Sequence, residues 1–165
     1  MNVMPDRPAL PRGVTVELPD AEAVLLTDLL IDFSGTLARD GVILPGVLEA
    51  LAHLATVLRI TVASADTFNR AVEALDGLPI SLRLVECGEQ KARIVEELGP
   101  SQVVAVGNGR NDVPMCRAAA LSVAVLGPEG VAAELLEVAD VLAPDIHVAL
   151  DLLLRPQRLR ATLRS

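Results

Sequence analysis

Five short apolar runs alternate with stretches of helical periodicity. This alternation limits what the chain can fold into more than any other feature. The runs are Leu25–Phe33, Ile60–Ala63, Ile80–Val85, Val103–Val106 and Leu121–Leu126. Between and after them, helices are expected over Pro45–Leu58, Thr67–Leu75, Glu89–Leu98, Asp112–Ala119, Val131–Val138 and Ile146–Leu154, several closed by Gly or Pro. Short strands separated by helices mean βαβ units and a parallel sheet. The expected fold is therefore α/β: a single Rossmann-like, doubly wound domain with a mainly parallel sheet. Gly13–Leu18 alternates as a short edge strand would, and Val141-Leu142 reads as another. A chain of 165 residues fits one domain. Residues 1–12, rich in Pro and Arg, are expected to be disordered, and 13–165 to form the folded unit.

Phe33 and Phe68 are the only aromatic residues, so the core must be built from Leu, Val, Ala and Ile. A net charge of −8 argues against nucleic acid as a partner, because phosphate backbones call for Lys and Arg. The absence of Trp and Tyr removes most base-stacking platforms as well. No uninterrupted apolar run approaches the roughly 18 residues of a spanning helix, and the first residues lack the apolar stretch of a secretory signal. Cys87 and Cys116 are too few for a disulfide framework and are expected to be free thiols. These features together predict a cytoplasmic protein with no membrane insertion.

The chemistry gathers at the strand ends. Leu29-Leu30-Ile31 ends on Asp32, followed by the turn Ser34-Gly35-Thr36. Val62-Ala63 ends on Ser64, and Val103–Val106 runs into Gly107-Asn108-Gly109-Arg110-Asn111-Asp112. In a doubly wound sheet, the carboxyl ends of the strands converge on one crevice where ligands bind. Phosphoryl transfer there needs a nucleophile, a metal, a hydroxyl donor and a cation. Asp32 suits the nucleophile, since a carboxylate can form an acyl phosphate. Mg2+ takes carboxylate and carbonyl oxygens, which Asp32, the Ser34 carbonyl, Asn108 and Asp112 could supply. Ser64 offers the hydroxyl. Lys91 is the only lysine among 14 basic residues, a compact point charge in a chain that otherwise uses Arg. Taken singly, each of these residues has a plainer role as a cap or a solvated side chain. Their order and their places at successive strand ends favour one shared site. His53 and His147 lack acidic neighbours in their helical patterns and are read as surface or core residues.

These residues follow a known pattern. The chain resembles the haloacid dehalogenase (HAD) superfamily over nearly its whole length, and especially small soluble proteins similar to the phosphorylation domain of P-type ATPases. Asp32-Phe33-Ser34-Gly35-Thr36-Leu37, Ser64-Ala65-Asp66, Lys91 and Gly107–Pro114 resemble the family's four motifs in order. The resemblance implies Asp32 as nucleophile with Ser64 and Lys91 as its catalytic partners. It implies phosphate binding by Ser34, Gly35, Thr36, Ala65 and Asn111. It also implies Mg2+ on Asp32, the Ser34 carbonyl, Asn108 and Asp112. Two positions depart from the pattern. Ser34 stands where the typical phosphatase has an acid–base Asp, whose proton transfer is worth roughly 10²–10⁴-fold. Asn108 stands where a metal-binding Asp is usual, which predicts weaker metal binding.

Only 31 residues separate Asp32 from Ser64, and 26 separate Ser64 from Lys91. Each gap holds one helix and one strand, so no cap domain is expected, only a short flap near Ala38–Val42 with Asp40-Gly41 as its turn. An open site suits a bulky or macromolecular phosphorylated substrate, or one completed by a partner subunit; the expected substrate is a phosphorylated small molecule or protein, and a homodimer is compatible with the open site. The expected function is a slow Mg2+-dependent phosphohydrolase or phosphotransferase working through an aspartyl phosphate. The alternative is a non-catalytic module that binds a phosphorylated ligand.

Overall fold

The computed structural model describes residues 12–18, 21–65 and 70–164. The disorder expected of the first dozen residues therefore lies outside the described residues, except for Arg12, which belongs to no helix or strand. The start of the Thr67–Leu75 helix and Asp66 of the second motif lie outside them too.

Strand β3 (Asp28–Asp32) is buried at all five positions. It carries apolar side chains to both faces, as a central parallel strand must. Leu29 and Ile31 join one core cluster and Leu30 the other. On either side of β3 lie β6 (Arg59–Ser64) and β8 (Val103–Gly107). Outward from β6 is β7 (Ile80–Leu84); outward from β8 are β9 (Leu121–Val125) and β10 (Val141–Ala143). All five pairings are parallel, in the order β10-β9-β8-β3-β6-β7. The chain winds outward through β6 and β7, returns to β8, and winds out the other way. The topological switch thus lies between β3 and β8, whose carboxyl ends carry Asp32 and the Asn108 turn.

The first core face packs α1 (Val47–Leu54), α6 (Ile146–Leu154) and the start of α2 (Arg70–Ala74) on the sheet. The second packs α3 (Gly88–Leu98), α4 (Val113–Ala118) and α5 (Ala133–Leu136). The core is Leu, Val, Ala and Ile, with Phe33 the one buried aromatic among the described residues. No separate cap domain interrupts the described residues. The flap is present as a hairpin of β4 (Ala38–Arg39) and β5 (Val42–Ile43). Its two turn residues are left-handed, Asp40 at φ 51° and Gly41 at φ 77°. A two-residue Asp-Gly turn adopts that conformation because it matches the twist of the strands.

Three expectations need correction. The run Leu25–Phe33 is two strands, not one. Val24–Leu26 (β2) pairs antiparallel with β1 (Val14–Val16) in a separate two-stranded sheet. The break falls at Thr27 because the next residue is anchored elsewhere. Asp28, buried, accepts from Arg59 Nε at 2.8 Å and Nη2 at 2.5 Å, a bidentate pair that pins β3 to β6. Helix α1 is shorter than Pro45–Leu58. Gly46 sits at φ 79° outside the helix, and the Thr56 hydroxyl bonds the His53 carbonyl at 2.7 Å, ending it early. The last segment, residues 155–164 with four arginines, reads in the sequence as a solvated helical tail, but it docks on the core. It forms α7 (Pro156–Leu163), whose fully buried Leu159 joins the first core face, while Arg160 pairs with Glu17 beside β1. Among the described residues, no helix is long and apolar enough to cross a membrane.

Candidate active site

Asp32, Lys91 and Asp112 meet in the buried crevice at the switch point. β3 delivers Asp32 at its carboxyl end, and the 3-10 turn after β8 delivers Asp112. Lys91 stands one turn into α3 and is 1% exposed. Its Nζ donates to Asp32 Oδ1 and to Asp112 Oδ1, each at 2.6 Å. Two carboxylates therefore share one ammonium, and the cluster holds one uncompensated negative charge. Burial, and then the charge of Asp112, push the Asp32 carboxyl up to about 7 against the pull of Lys91 and Thr36. Burial alone would lower the Lys91 ammonium, but the two carboxylates outweigh it and its pKa is raised.

The turn after Asp32 is wound tightly. The amides of Leu37 and Ala38 both donate to the Phe33 carbonyl at 3.0 Å, and Gly35 N–H donates to the Ala38 carbonyl at 2.9 Å. These bonds run through the residues on either side of Ser34, not through Ser34 itself. Gly35 takes φ 77°, and a Cβ there would lie 2.5 Å from Asn108 Nδ2, so only glycine fits. The winding brings the buried Thr36 hydroxyl to 3.3 Å from Asp32 Oδ2 and 3.1 Å from Asn108 Oδ1.

Asp112 is oriented by three donors. Its Oδ2 accepts from the amides of Asn108 at 3.0 Å and Gly109 at 2.9 Å, while Oδ1 takes Lys91. Both oxygens are thus engaged. Asn108 Nδ2 donates to the Gly130 carbonyl at 3.0 Å, a bond that a carboxylate could not make. Among the described residues, no group of three or more His, Cys, Asp or Glu could hold a metal ion.

Of the expected phosphate-binding residues, Ser34, Ala65 and Asn111 are exposed at the crevice-side ends of their elements. Thr36 is buried inside the hydrogen-bond network and Gly35 is buried beside it. Ser64 ends β6, next to Asp32 on β3. Its hydroxyl oxygen is buried and has no hydrogen-bond partner among the described residues. Both cysteines are free. Burial, then the nearby Asp112 charge, push the Cys116 thiol up to about 12, which leaves it unreactive. His53 and His147 are exposed and away from the cluster. The sequence reasoning missed Glu129, whose Oε1 accepts from the Asp40 amide of the flap at 3.0 Å. The only signal for it was the turn composition Gly127-Pro128-Glu129-Gly130.

No family model matches the chain. An uncharacterized protein of Methanocaldococcus jannaschii, MJ0073, is 41% identical over 79 residues, which are 46% of this chain and 85% of that protein. The chain belongs to the same family as MJ0073. Among solved structures, a Streptomyces avermitilis protein assigned to the HAD hydrolase family superposes with a TM-score of 0.65 at 19% identity, covering 80% of this chain and 87% of the other. The 3-deoxy-D-manno-octulosonate 8-phosphate phosphatase of Moraxella catarrhalis gives 0.62 at 13% identity, covering 82% and 90%. The chain has a HAD-like fold. The catalytic domain of the CPx-ATPase CopB-B is also similar to it, with a TM-score of 0.57 at 30% identity. That likeness covers 68% of the HAD-like domain described here and only 46% of the ATPase chain.

Proposed function

We propose that this HAD-like domain transfers or hydrolyses phosphoryl groups through Asp32. The observation that carries this reading is the buried Lys91 ammonium held at 2.6 Å by both Asp32 and Asp112, at the switch point of a parallel sheet. In this reading an Asp32 oxygen attacks the phosphorus of a phosphate ester or acyl phosphate. Oδ2, with only the longer Thr36 contact, is the freer of the two. The bond from phosphorus to the leaving oxygen breaks, and that oxygen leaves with the electron pair and takes a proton from water. Water then attacks phosphorus, the bond to Asp32 breaks, and inorganic phosphate departs. Lys91 holds the nucleophile and offsets charge on the phosphoryl oxygens. Asp112 holds Lys91 in place, and its Oδ1 keeps a second lone pair for a metal. The unpartnered Ser64 hydroxyl supplies a donor to a phosphoryl oxygen.

The excess negative charge and the hard oxygen donors fit a divalent cation. Asp32, the Ser34 carbonyl, Asn108 Oδ1 and Asp112 would hold it. Mg2+ bound there would neutralise charge on the phosphoryl oxygens. The Moraxella phosphatase, solved with magnesium and phosphate ions, supports the reading by analogy of fold. With Ser34 in place of an acid–base carboxylate, breakdown of the aspartyl phosphate is slow. Substrates are phosphorylated small molecules or proteins. The alternative, a module that binds a phosphorylated ligand without turning it over, rests on Ser34 and Asn108 at the two positions that depart from the family pattern.

Phosphate release from acetyl phosphate in the presence of Mg2+ tests this function. Wild type is expected to release phosphate and Asp32→Asn is not. Equal release by both proteins, or release by neither, would sink the catalytic reading.

A further inference from the structure

The tip of the β4–β5 hairpin is gripped from two sides at one residue. The Asp40 amide donates to Glu129 Oε1 at 3.0 Å, and Arg70 Nη1 donates to the Asp40 carbonyl at 2.9 Å. Arg70 begins α2, which follows β6. Glu129 stands in the loop that follows β9. In the sheet, β3 and β8 lie between β6 and β9. A tip bonded to the start of α2 and to the loop after β9 therefore crosses the carboxyl ends of the strands that carry Asp32 and Asn108.

Glu129 is presented rigidly. It occupies the third position of a turn in which Gly130 N–H donates to the Gly127 carbonyl at 3.0 Å, with Pro128 before it. That turn is tied to Asn108 twice. Asn108 Nδ2 donates to the Gly130 carbonyl at 3.0 Å, and Ala132 N–H donates to the Asn108 carbonyl at 2.8 Å. The other Glu129 oxygen lies against Gly35, 2.7 Å from where a Cβ would stand. A carboxylate exposed to water, with no ion pair among the described residues, is thus fixed between the flap and the site.

We propose that Glu129 is a positioning residue that latches the hairpin across the crevice, and that the latched hairpin, in a chain without a cap domain, screens substrates by the size of the leaving group. The screening half rests on the phosphoryl-transfer reading above; the latch itself does not. On the Glu129 side the latch is one hydrogen bond to a solvent-exposed carboxylate, so that side releases readily and larger groups enter only while it is released. The Asn108 amide acts at one remove, by holding the turn on which Glu129 stands.

The test compares wild type, Glu129→Ala and Glu129→Gln by two readouts. Hydrogen exchange of the peptide covering residues 38–43 reads the latch without any turnover. The ratio of kcat/KM for p-nitrophenyl phosphate to that for acetyl phosphate reads the screening. Alanine is expected to speed exchange and raise the ratio, each by roughly fivefold, the loss of one hydrogen bond. Glutamine keeps an oxygen acceptor and is expected to stay within about twofold of wild type on both. Unchanged exchange in the alanine variant overturns the latch. Faster exchange with an unchanged ratio overturns the screening, and a glutamine variant that behaves like alanine overturns the hydrogen bond as the cause. Wild-type protein inactive on both substrates would refute the phosphoryl-transfer reading, with the exchange result still deciding the latch.

Discussion

Replacing Lys91 by Met should expose how much of this fold depends on the charge cluster. Met keeps the length and most of the apolar stem but removes the ammonium. Asp112 would retain its two backbone N–H donors, whereas Asp32 would retain only the 3.3 Å contact with Thr36. Removing one partner from a buried ion pair leaves uncompensated charge and costs about 3–5 kcal/mol. Against the ~5–15 kcal/mol that holds a domain together, this is a large share, and it would lower Tm by roughly 10 °C. The effect depends on pH with a definite sign. In wild type the folded Asp32 already titrates at about 7, above the ordinary carboxylate range. Without Lys91 its folded pKa rises further. A carboxyl raised in the folded state keeps a proton that the unfolded chain has released. Stability therefore falls as pH climbs from about 4 toward the raised value. The penalty should be smaller at pH 5 and larger at pH 8. Urea unfolding of both proteins at the two pH values, followed by circular dichroism, measures it. A Lys91→Met variant within about 1 kcal/mol of wild type at pH 8 would refute the reasoning, as would a penalty independent of pH.

Other substitutions probe the neighbouring groups. Asn108→Asp adds a carboxylate beside the Gly130 carbonyl and removes the Nδ2 donor, so it should tighten Mg2+ binding by calorimetry while lowering Tm in the absence of metal. Ser64→Ala removes a buried hydroxyl that has no partner among the described residues, so urea unfolding should show stability unchanged or slightly higher. The same variant should bind inorganic phosphate about tenfold more weakly, the loss of one hydrogen bond to a charged group. Ser34→Asp places an acid–base carboxylate after the nucleophile, and steady-state phosphate release should rise by roughly 10²-fold or more.

The strand-end residues were legible because a parallel α/β sheet leaves little freedom in where they go. Once Leu29–Ile31 is a central strand, Asp32 must stand at its carboxyl end. The turn after Val103–Val106 must then stand beside it. The convergence of Asp32, Lys91, Asn108 and Asp112 follows from that geometry. That both carboxylates share the lysine does not follow. Asp112 is turned toward Lys91 by the Asn108 and Gly109 amides, a detail of a 3-10 turn that spacing does not encode. Glu129 was hidden for a different reason: its partner Asp40 is 89 positions away and contributes a backbone amide, which carries no sequence signal. The division of Leu25–Phe33 rests on Asp28 finding Arg59, 31 positions on. A polar residue within an apolar run was visible, but its partner was not. The docking of α7 rests on the fully buried Leu159 amid arginines, so the apolar stripe was too thin to stand out from a solvated helix.

The central claim is that Asp32 carries the phosphoryl group. Intact mass of the protein after incubation with acetyl phosphate and Mg2+, beside an Asp32→Asn control, tests it most directly. The account predicts a gain of one phosphoryl group in wild type only, persisting long enough to be measured because Ser34 cannot act as an acid–base carboxylate. An adduct that survives in Asp32→Asn would contradict it, and so would wild-type protein that remains unmodified.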